Sequence, residues 1–269
     1  MKSNKIKFNN GVKLLQPPLL DFSTLGKKDE VKIVIHNDTH KFATDAEYSG
    51  KDLKVQPIFG STAFINGKEF CTMSFGLPFM RFHKGSKPKI TYVNHTPFTT
   101  NIHYHGLNTD GSTDGTDMQL VFGPSTQIGP VATFDLPEIT NNQALLFFHS
   151  HNMFVSMELA YGGIVGLLQI VDKLTCWLNA TFEYGNNQIL LLSMDMEMTD
   201  KGVLNPTNLT TDDNRGNFTM INGTSAVSWY SSDPCVPFVN PLFHIQLHFY
   251  LGIFCRICYQ TSICLLYPQ

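Results

Sequence analysis

Four of the ten histidines in this 269-residue chain form two identical His-x-His patterns, His103/His105 and His149/His151. On a β-strand, residues i and i+2 point to the same face and lie roughly 6.5–7 Å apart. At that spacing each imidazole can serve a different metal of a closely spaced cluster, whereas one tetrahedral ion is harder for both to reach. If the two strands are neighbours, four imidazoles converge from two directions.

The donors in these motifs are imidazoles alone, with no thiolate or carboxylate. Such a set suits copper, zinc, iron or nickel, and copper has the highest intrinsic affinity. Gly106, directly after the first pair, permits close approach of the backbone. A single His-x-His is more often hydrogen-bonded polar surface, but two such pairs, each at the end of an apolar strand, favour a metal site.

The elements around the motifs are predicted to be short strands. VKIVIH (31–36) and KITYV (89–93) alternate, while LLFF (145–148) and GLLQIV (166–171) are apolar runs of buried-strand length. Turn signals such as Asn66-Gly67 separate the runs, and helical periodicity is hard to find. The pattern predicts an all-β fold, a sandwich or barrel of Greek-key type.

The overall composition is that of a globular protein, with 42% hydrophobic and 15% charged residues. The length allows one large domain or two ordinary ones. A net charge of −3 and the lack of a basic patch predict no nucleic-acid partner. No secretory signal is visible near Met1, so the compartment stays unknown.

The two motifs resemble the copper motifs in the first domain of multicopper oxidases, the family of laccases, ascorbate oxidases and ferroxidases. NIHYHGLN (101–108) is followed by Asp114-Gly115, and FFHSHNM (147–153) by YGGIVG (161–166), in the order of the family. The resemblance extends over residues 31–173. It implies a cupredoxin-like Greek-key β-sandwich, which we predict over residues 25–173. Members of the family are often secreted.

The resemblance also implies a role for each histidine. His103 would bind the type 2 copper, and His105, His149 and His151 would bind the type 3 copper pair. Asp114 matches the Asp-Gly that follows the first pair in the family, where it would orient water or a ligand and relay protons. The alternative for Asp114 is a plain turn aspartate. Copper is therefore the predicted cofactor, and dioxygen is a predicted partner.

The family completes this cluster with four further histidines near the C-terminus, in a region that also supplies the cysteine and histidines of the type 1 copper. The present sequence contains no His-Cys-His tripeptide, and HIQLH (244–248) resembles the His-rich segment only faintly. The thiolate of the type 1 site is the entry point for electrons. The chain is therefore expected to lack the type 1 site and half of the trinuclear ligands.

Three hypotheses about function follow. The first is a multicopper-oxidase-type oxidoreductase, which couples substrate oxidation to dioxygen reduction and whose remaining ligands come from a protein partner or a second copy. The second is a non-catalytic copper-binding cupredoxin module, or the relic of a disrupted gene. The third is a structural β-sandwich whose histidines bind no metal. Descent from an oxidase is better supported than oxidase activity, which the sequence does not assign.

A partial second cupredoxin-like domain is predicted over residues 187–241, beginning with QILLLS (188–193), so we expect a C-terminally truncated family member. Residues 242–269 hold a single formal charge, Arg256. This segment is interpreted as a degenerate or frame-shifted tail. An irregular core segment and a membrane-associated segment are the alternatives, although polar residues such as His244 and Gln260 make it a poor membrane span.

Overall fold

The structure, a computed structural model, describes residues 16–40, 57–116, 119–127, 129–175, 190, 192–196 and 218–225, and the backbone of short strands at 7–8, 229–230, 242–245 and 258–260. The first elements are β1 (Lys7–Phe8), β2 (Leu19–Asp21), β3 (Val31–Asn37), β4 (Phe59–Ile65), β5 (Lys68–Met73), β6 (Phe79–His83), β7 (Lys89–His95), β8 (His103–His105), β9 (Val131–Asp135), β10 (Ala144–His149), α1 (Ser156–Gly162) and β11 (Val165–Val171). The later ones are β12 (Leu192–Met196), β13 (Phe218–Ile221), β14 (Thr224–Ser225), β15 (Trp229–Tyr230), β16 (Leu242–Ile245) and β17 (Cys258–Gln260).

Two five-stranded sheets form a sandwich. Sheet I has the order β5-β4-β3-β7-β9, and sheet II has the order β2-β6-β11-β10-β8. Alternate residues of β3 and β7, including Ile33 and Tyr92, point into a shared core, where they join Phe82 and Phe148 of sheet II. Burial of these apolar faces is the main force that holds the two sheets together. The predicted all-β sandwich is confirmed.

A third sheet covers the outer face of sheet II. It has the order β14-β13-β12-β16-β17. Its residues Leu192, Met194 and Met220 form a second buried cluster with residues of sheet II such as Phe147 and Leu167. Because sheet II is thus covered on both faces, every residue of β11 is buried, which explains why its sequence is a continuous apolar run instead of an alternating one.

Most strands predicted near the histidine motifs lie where the sequence placed them, but three features differ or remain open. A two-turn helix, α1, follows the second motif, and its N-cap residue Val155 makes no side-chain capping hydrogen bond, so the usual start signal is missing. Part of the segment interpreted as a tail pairs as β16 and β17 with the third sheet, and β16 lies beside β12. The boundaries at 25–173, 187–241 and 242–269 remain predictions, because much of the later sequence lies outside the described residues.

None of the helices among the described residues is long and apolar enough to cross a membrane.

Candidate metal centre

The two His-x-His motifs lie on neighbouring strands. β8 and β10 pair antiparallel, with His103 opposite His149 and His105 opposite Phe147. Residues directly opposite each other in an antiparallel pair share a face of the sheet, so the side chains of His103, His105 and His149 project from the same side. The convergence that the spacing predicted is therefore present in the fold.

The four imidazoles form a compact group centred on His103. The ring of His103 lies 5.4 Å from that of His105, 5.6 Å from that of His149 and 5.1 Å from that of His151, measured between ring centroids. One ring nitrogen from each of His103, His105 and His149 lies within 4.8 Å of the others. Among the described residues, these three are the only such group of His, Cys, Asp or Glu donors. His151 extends the group through His149, at a centroid distance of 5.8 Å.

Hydrogen bonds to backbone carbonyls determine which ring nitrogen of two histidines is available. Nδ1 of His103 lies 2.8 Å from the carbonyl oxygen of Asp114, and Nδ1 of His149 lies 2.8 Å from that of Ser150. A carbonyl can only accept, so each Nδ1 carries a proton, and in the neutral form of an imidazole the other nitrogen, Nε2, has a free lone pair. This arrangement leaves Nε2 of both rings as the ligand atom for a metal.

Two ring nitrogens of the group are buried and lack a hydrogen-bond partner among the described residues. They are Nδ1 of His105 and Nε2 of His149. Burial, together with the nearby histidines, lowers the pKa of His105 to about 4 and that of His149 to about 3. Both rings are therefore neutral at pH 7. A buried, unpaired lone pair on a neutral imidazole is unfavourable unless a metal or a donor satisfies it.

Phe147 is a member of the site that the sequence analysis did not identify. Its ring stacks on that of His105 at 4.5 Å and on that of His149 at 5.1 Å, with interplanar angles of 19° and 17°. Phe147 precedes His149 by two residues on β10, so strand alternation already places it on the metal face. Its contacts with the two rings restrict their rotation and shield them from water.

The opposite face of the same strands belongs to the core. Tyr104 and Phe148 are fully buried and point away from the imidazoles, as strand alternation requires. The hydroxyl of Tyr104 lies 2.9 Å from that of Tyr92 on sheet I, so the His-x-His strand is hydrogen-bonded across the sandwich. Burial raises the pKa of both tyrosines, which stay protonated. The core thereby holds β8 at a defined distance from sheet I.

The loop after the first motif brings Asp114 to His103. Besides the carbonyl contact, Oδ1 of Asp114 lies 3.3 Å from Nδ1 of His103. Gly115 has a positive φ of 69°, and a Cβ at this position would overlap the carbonyl of Ile102. Only glycine allows this approach. The carbonyl of Asp114 makes the shorter contact with the ring, and the carboxylate is a secondary neighbour.

The donor set fits a metal that prefers imidazole. The described site offers neutral nitrogens, two of them orphaned and buried, and it offers neither a thiolate nor a carboxylate as a direct ligand. By donor type this set suits copper, zinc, iron or nickel, with copper bound most strongly.

Comparison with known proteins also links this part of the chain to copper-binding proteins. The family profile described as multicopper oxidase matches residues 62–175. The multicopper oxidase mco of Staphylococcus aureus is 29% identical over 181 residues, which is 65% of this chain and 38% of that protein. The bilirubin oxidase of Albifimbria verrucaria is 25% identical over 170 residues, which is 63% of this chain and 28% of that protein. The chain thus spans less than half the length of these relatives.

Solved structures show the same fold. The crystal structure of the multicopper oxidase McoA from Aquifex aeolicus covers 79% of this chain with a TM-score of 0.58, at 21% sequence identity, and the match spans 41% of that protein. The cupredoxin-like sandwich implied by the motifs is confirmed by this likeness. Copper is the metal that proteins of this family bind. Together, the profile match over residues 62–175, the curated relatives and the fold show that this part of the chain is similar to multicopper oxidases.

Proposed function

We propose that His103, His105, His149 and His151 bind copper, and that the chain serves an oxidoreductase coupling substrate oxidation to the reduction of dioxygen. The observation that carries the proposal is the four-imidazole group with two buried, unpaired ring nitrogens. Copper bound there would supply one-electron redox chemistry toward dioxygen. By resemblance to the family, His103 belongs to the type 2 site and the other three to the type 3 pair.

The residues around the group prepare it for a cation. The carbonyls of Asp114 and Ser150 hold the rings of His103 and His149 in the tautomer that exposes Nε2. The low pKa of His105 and His149 removes competition from protons at neutral pH. Phe147 shields one side of both rings from water. The chain thus supplies ligands in a fixed orientation and protonation state.

The sequence offers no counterpart of the His-Cys-His segment, so a complete oxidase site needs ligands that are not among these 269 residues. For the first hypothesis, a protein partner supplies them, because a second copy contains the same 269 residues. Because the four imidazoles suffice to hold metal without the type 1 site, the second candidate function is a copper-binding module without catalysis. The two candidates share the site and differ only in turnover.

Copper loading tests the shared site. The metal-free full chain is titrated with Cu(II), desalted and analysed for bound copper, and electron paramagnetic resonance reports nitrogen ligation. We expect bound copper in the wild type and its loss in the double variant His103→Ala/His149→Ala. His95→Ala is the matched control, because His95 is an exposed histidine at the end of β7. Equal copper in the double variant and the control would refute the proposal.

Oxygen uptake separates the two candidates. The copper-loaded chain is supplied with phenolic, ferrous or cuprous substrates in an oxygen electrode. Uptake that disappears in the double variant supports the oxidoreductase. Copper binding with a flat trace assigns the isolated chain to the non-catalytic module.

A further inference from the structure

The backbone pairing between the two motif strands ends before the fourth histidine. The last pair of the β8–β10 ladder is His103 opposite His149. His151 lies two residues beyond β10 and is exposed, whereas His149 is buried. The strand ladder that orients His103, His105 and His149 therefore does not extend to His151, and something else must hold its backbone.

A buried side chain takes over at the next position of the same register. Continuing the ladder by two residues would place Asn101 opposite His151. Asn101 is fully buried, and its Oδ1 accepts the backbone N–H of His151 at 2.6 Å. Because the amide nitrogen of Asn101 cannot accept a hydrogen bond, this contact also fixes the orientation of the carboxamide.

Two neighbouring contacts join the same chain segments without touching His151. Oγ1 of Thr100 donates to Oγ of Ser150 at 2.9 Å, and Nδ2 of Asn152 donates to the carbonyl oxygen of Thr99 at 2.7 Å. The segments preceding β8 and following β10 are therefore joined by side chains where the ladder stops. Among these contacts, only that of Asn101 reaches the backbone of the exposed histidine.

We propose that Asn101 is a positioning residue for His151: its carboxamide oxygen replaces a ladder hydrogen bond and holds the fourth imidazole beside the other three. The proposal rests on the proposed function in that His151 is taken to be a copper ligand. A hydrogen bond to the backbone of a metal-binding residue sets where its ring can reach. Without the hydrogen bond to Asn101, the backbone after β10 becomes more mobile, and only three of the four imidazoles stay ordered.

Amide hydrogen exchange on the metal-free full chain tests the positioning directly. In Asn101→Leu, which is similar in size but has no acceptor, we expect the amide of His151 to exchange at least roughly tenfold faster. Asn101→Asp keeps the accepting oxygen and should retain the protection. Thr100→Val is the matched control, because it removes the adjacent buried hydrogen bond and should leave His151 protected. Asn101→Ser, whose hydroxyl is shorter, serves if the leucine variant does not fold, and it should lose the protection.

Two results would overturn the positioning role. One is an unchanged exchange rate of His151 in both Asn101→Leu and Asn101→Ser. The other is an equal acceleration in Thr100→Val, which would mean general loosening of these segments and not the loss of one acceptor.

Copper titration of the same variants links the positioning to the metal. Loss of Asn101 should weaken copper binding by roughly 10–100-fold, as is typical when a group that orients a ligand is removed. The paramagnetic resonance signal should also show fewer nitrogen ligands. If the wild type binds no copper, the proposed function fails while the exchange experiment still decides the role of Asn101. If Asn101→Leu frees the amide of His151 but binds copper as the wild type does, the link to the metal is refuted.

Discussion

Acid should destabilise the metal-free protein through the imidazole group. Burial lowers the pKa of His149 to about 3 and that of His105 to about 4, so the folded state keeps both rings neutral. In the unfolded chain the pKa of histidine is about 6.5. Between these values the unfolded state binds more protons than the folded state. The stability that the two neutral rings contribute is therefore fully present above about pH 6.5, and it is lost as the pH falls toward the folded-state pKa values of about 4 and then about 3.

The size of the loss follows from these values. A histidine that stays neutral when folded costs about 2 kcal/mol of stability between pH 7 and pH 5. His149 is 3% exposed and should contribute this full amount. His105 is partly exposed, and solvent screening reduces its contribution to about 1 kcal/mol. The two rings together should cost about 3 kcal/mol over this interval.

Urea unfolding at a series of pH values, followed by circular dichroism in the presence of a chelator, measures this loss. In His149→Gln the pH-dependent part should shrink by about 2 kcal/mol, because the variant has no proton to bind at this position. The exposed His95 provides the control, and His95→Gln should keep the dependence of the wild type. The carboxylates contribute equally to the pH dependence of stability in the wild type and in both variants. The reasoning is refuted if His149→Gln and the wild type lose the same free energy between pH 7 and pH 5.

Three further predictions concern the residues that support the site. Tyr92→Phe and Tyr104→Phe should each lower the free energy of unfolding by about 1–3 kcal/mol, because the hydroxyl of the remaining tyrosine stays buried and unpaired. In a double-mutant cycle, the double variant should lose less stability than the two single variants added together. Gly115→Ala should lower the melting temperature and weaken copper binding, because the new Cβ would overlap the carbonyl of Ile102. Gly111→Ala is the control: a Cβ there has no atom within 4 Å, so the melting temperature and copper binding should stay as in the wild type. Asp114→Asn should change copper affinity by less than about tenfold in a titration, because the carbonyl of residue 114 makes the shorter contact with His103.

Strand periodicity was sufficient to predict much of this architecture. The alternation in β3 and β7 and the apolar runs in β10 and β11 predict strands that the structure contains, because a side-chain period of two is a local property of the extended backbone. The short helix α1 was missed, because seven residues without a side-chain N-cap carry no local start signal.

The sequence by itself determined the candidate ligands, since two His-x-His motifs at strand ends each place two imidazoles on one face. It could not determine that β8 and β10 are neighbours, because strand pairing depends on contacts between residues more than forty positions apart. Only the tertiary structure brings Phe147 against two of the rings and the carbonyl of Asp114 against a third. Desolvation of His149 and the contact from Asn101 to His151 likewise arise only on folding, since both depend on what surrounds a residue in space and not on its neighbours in sequence.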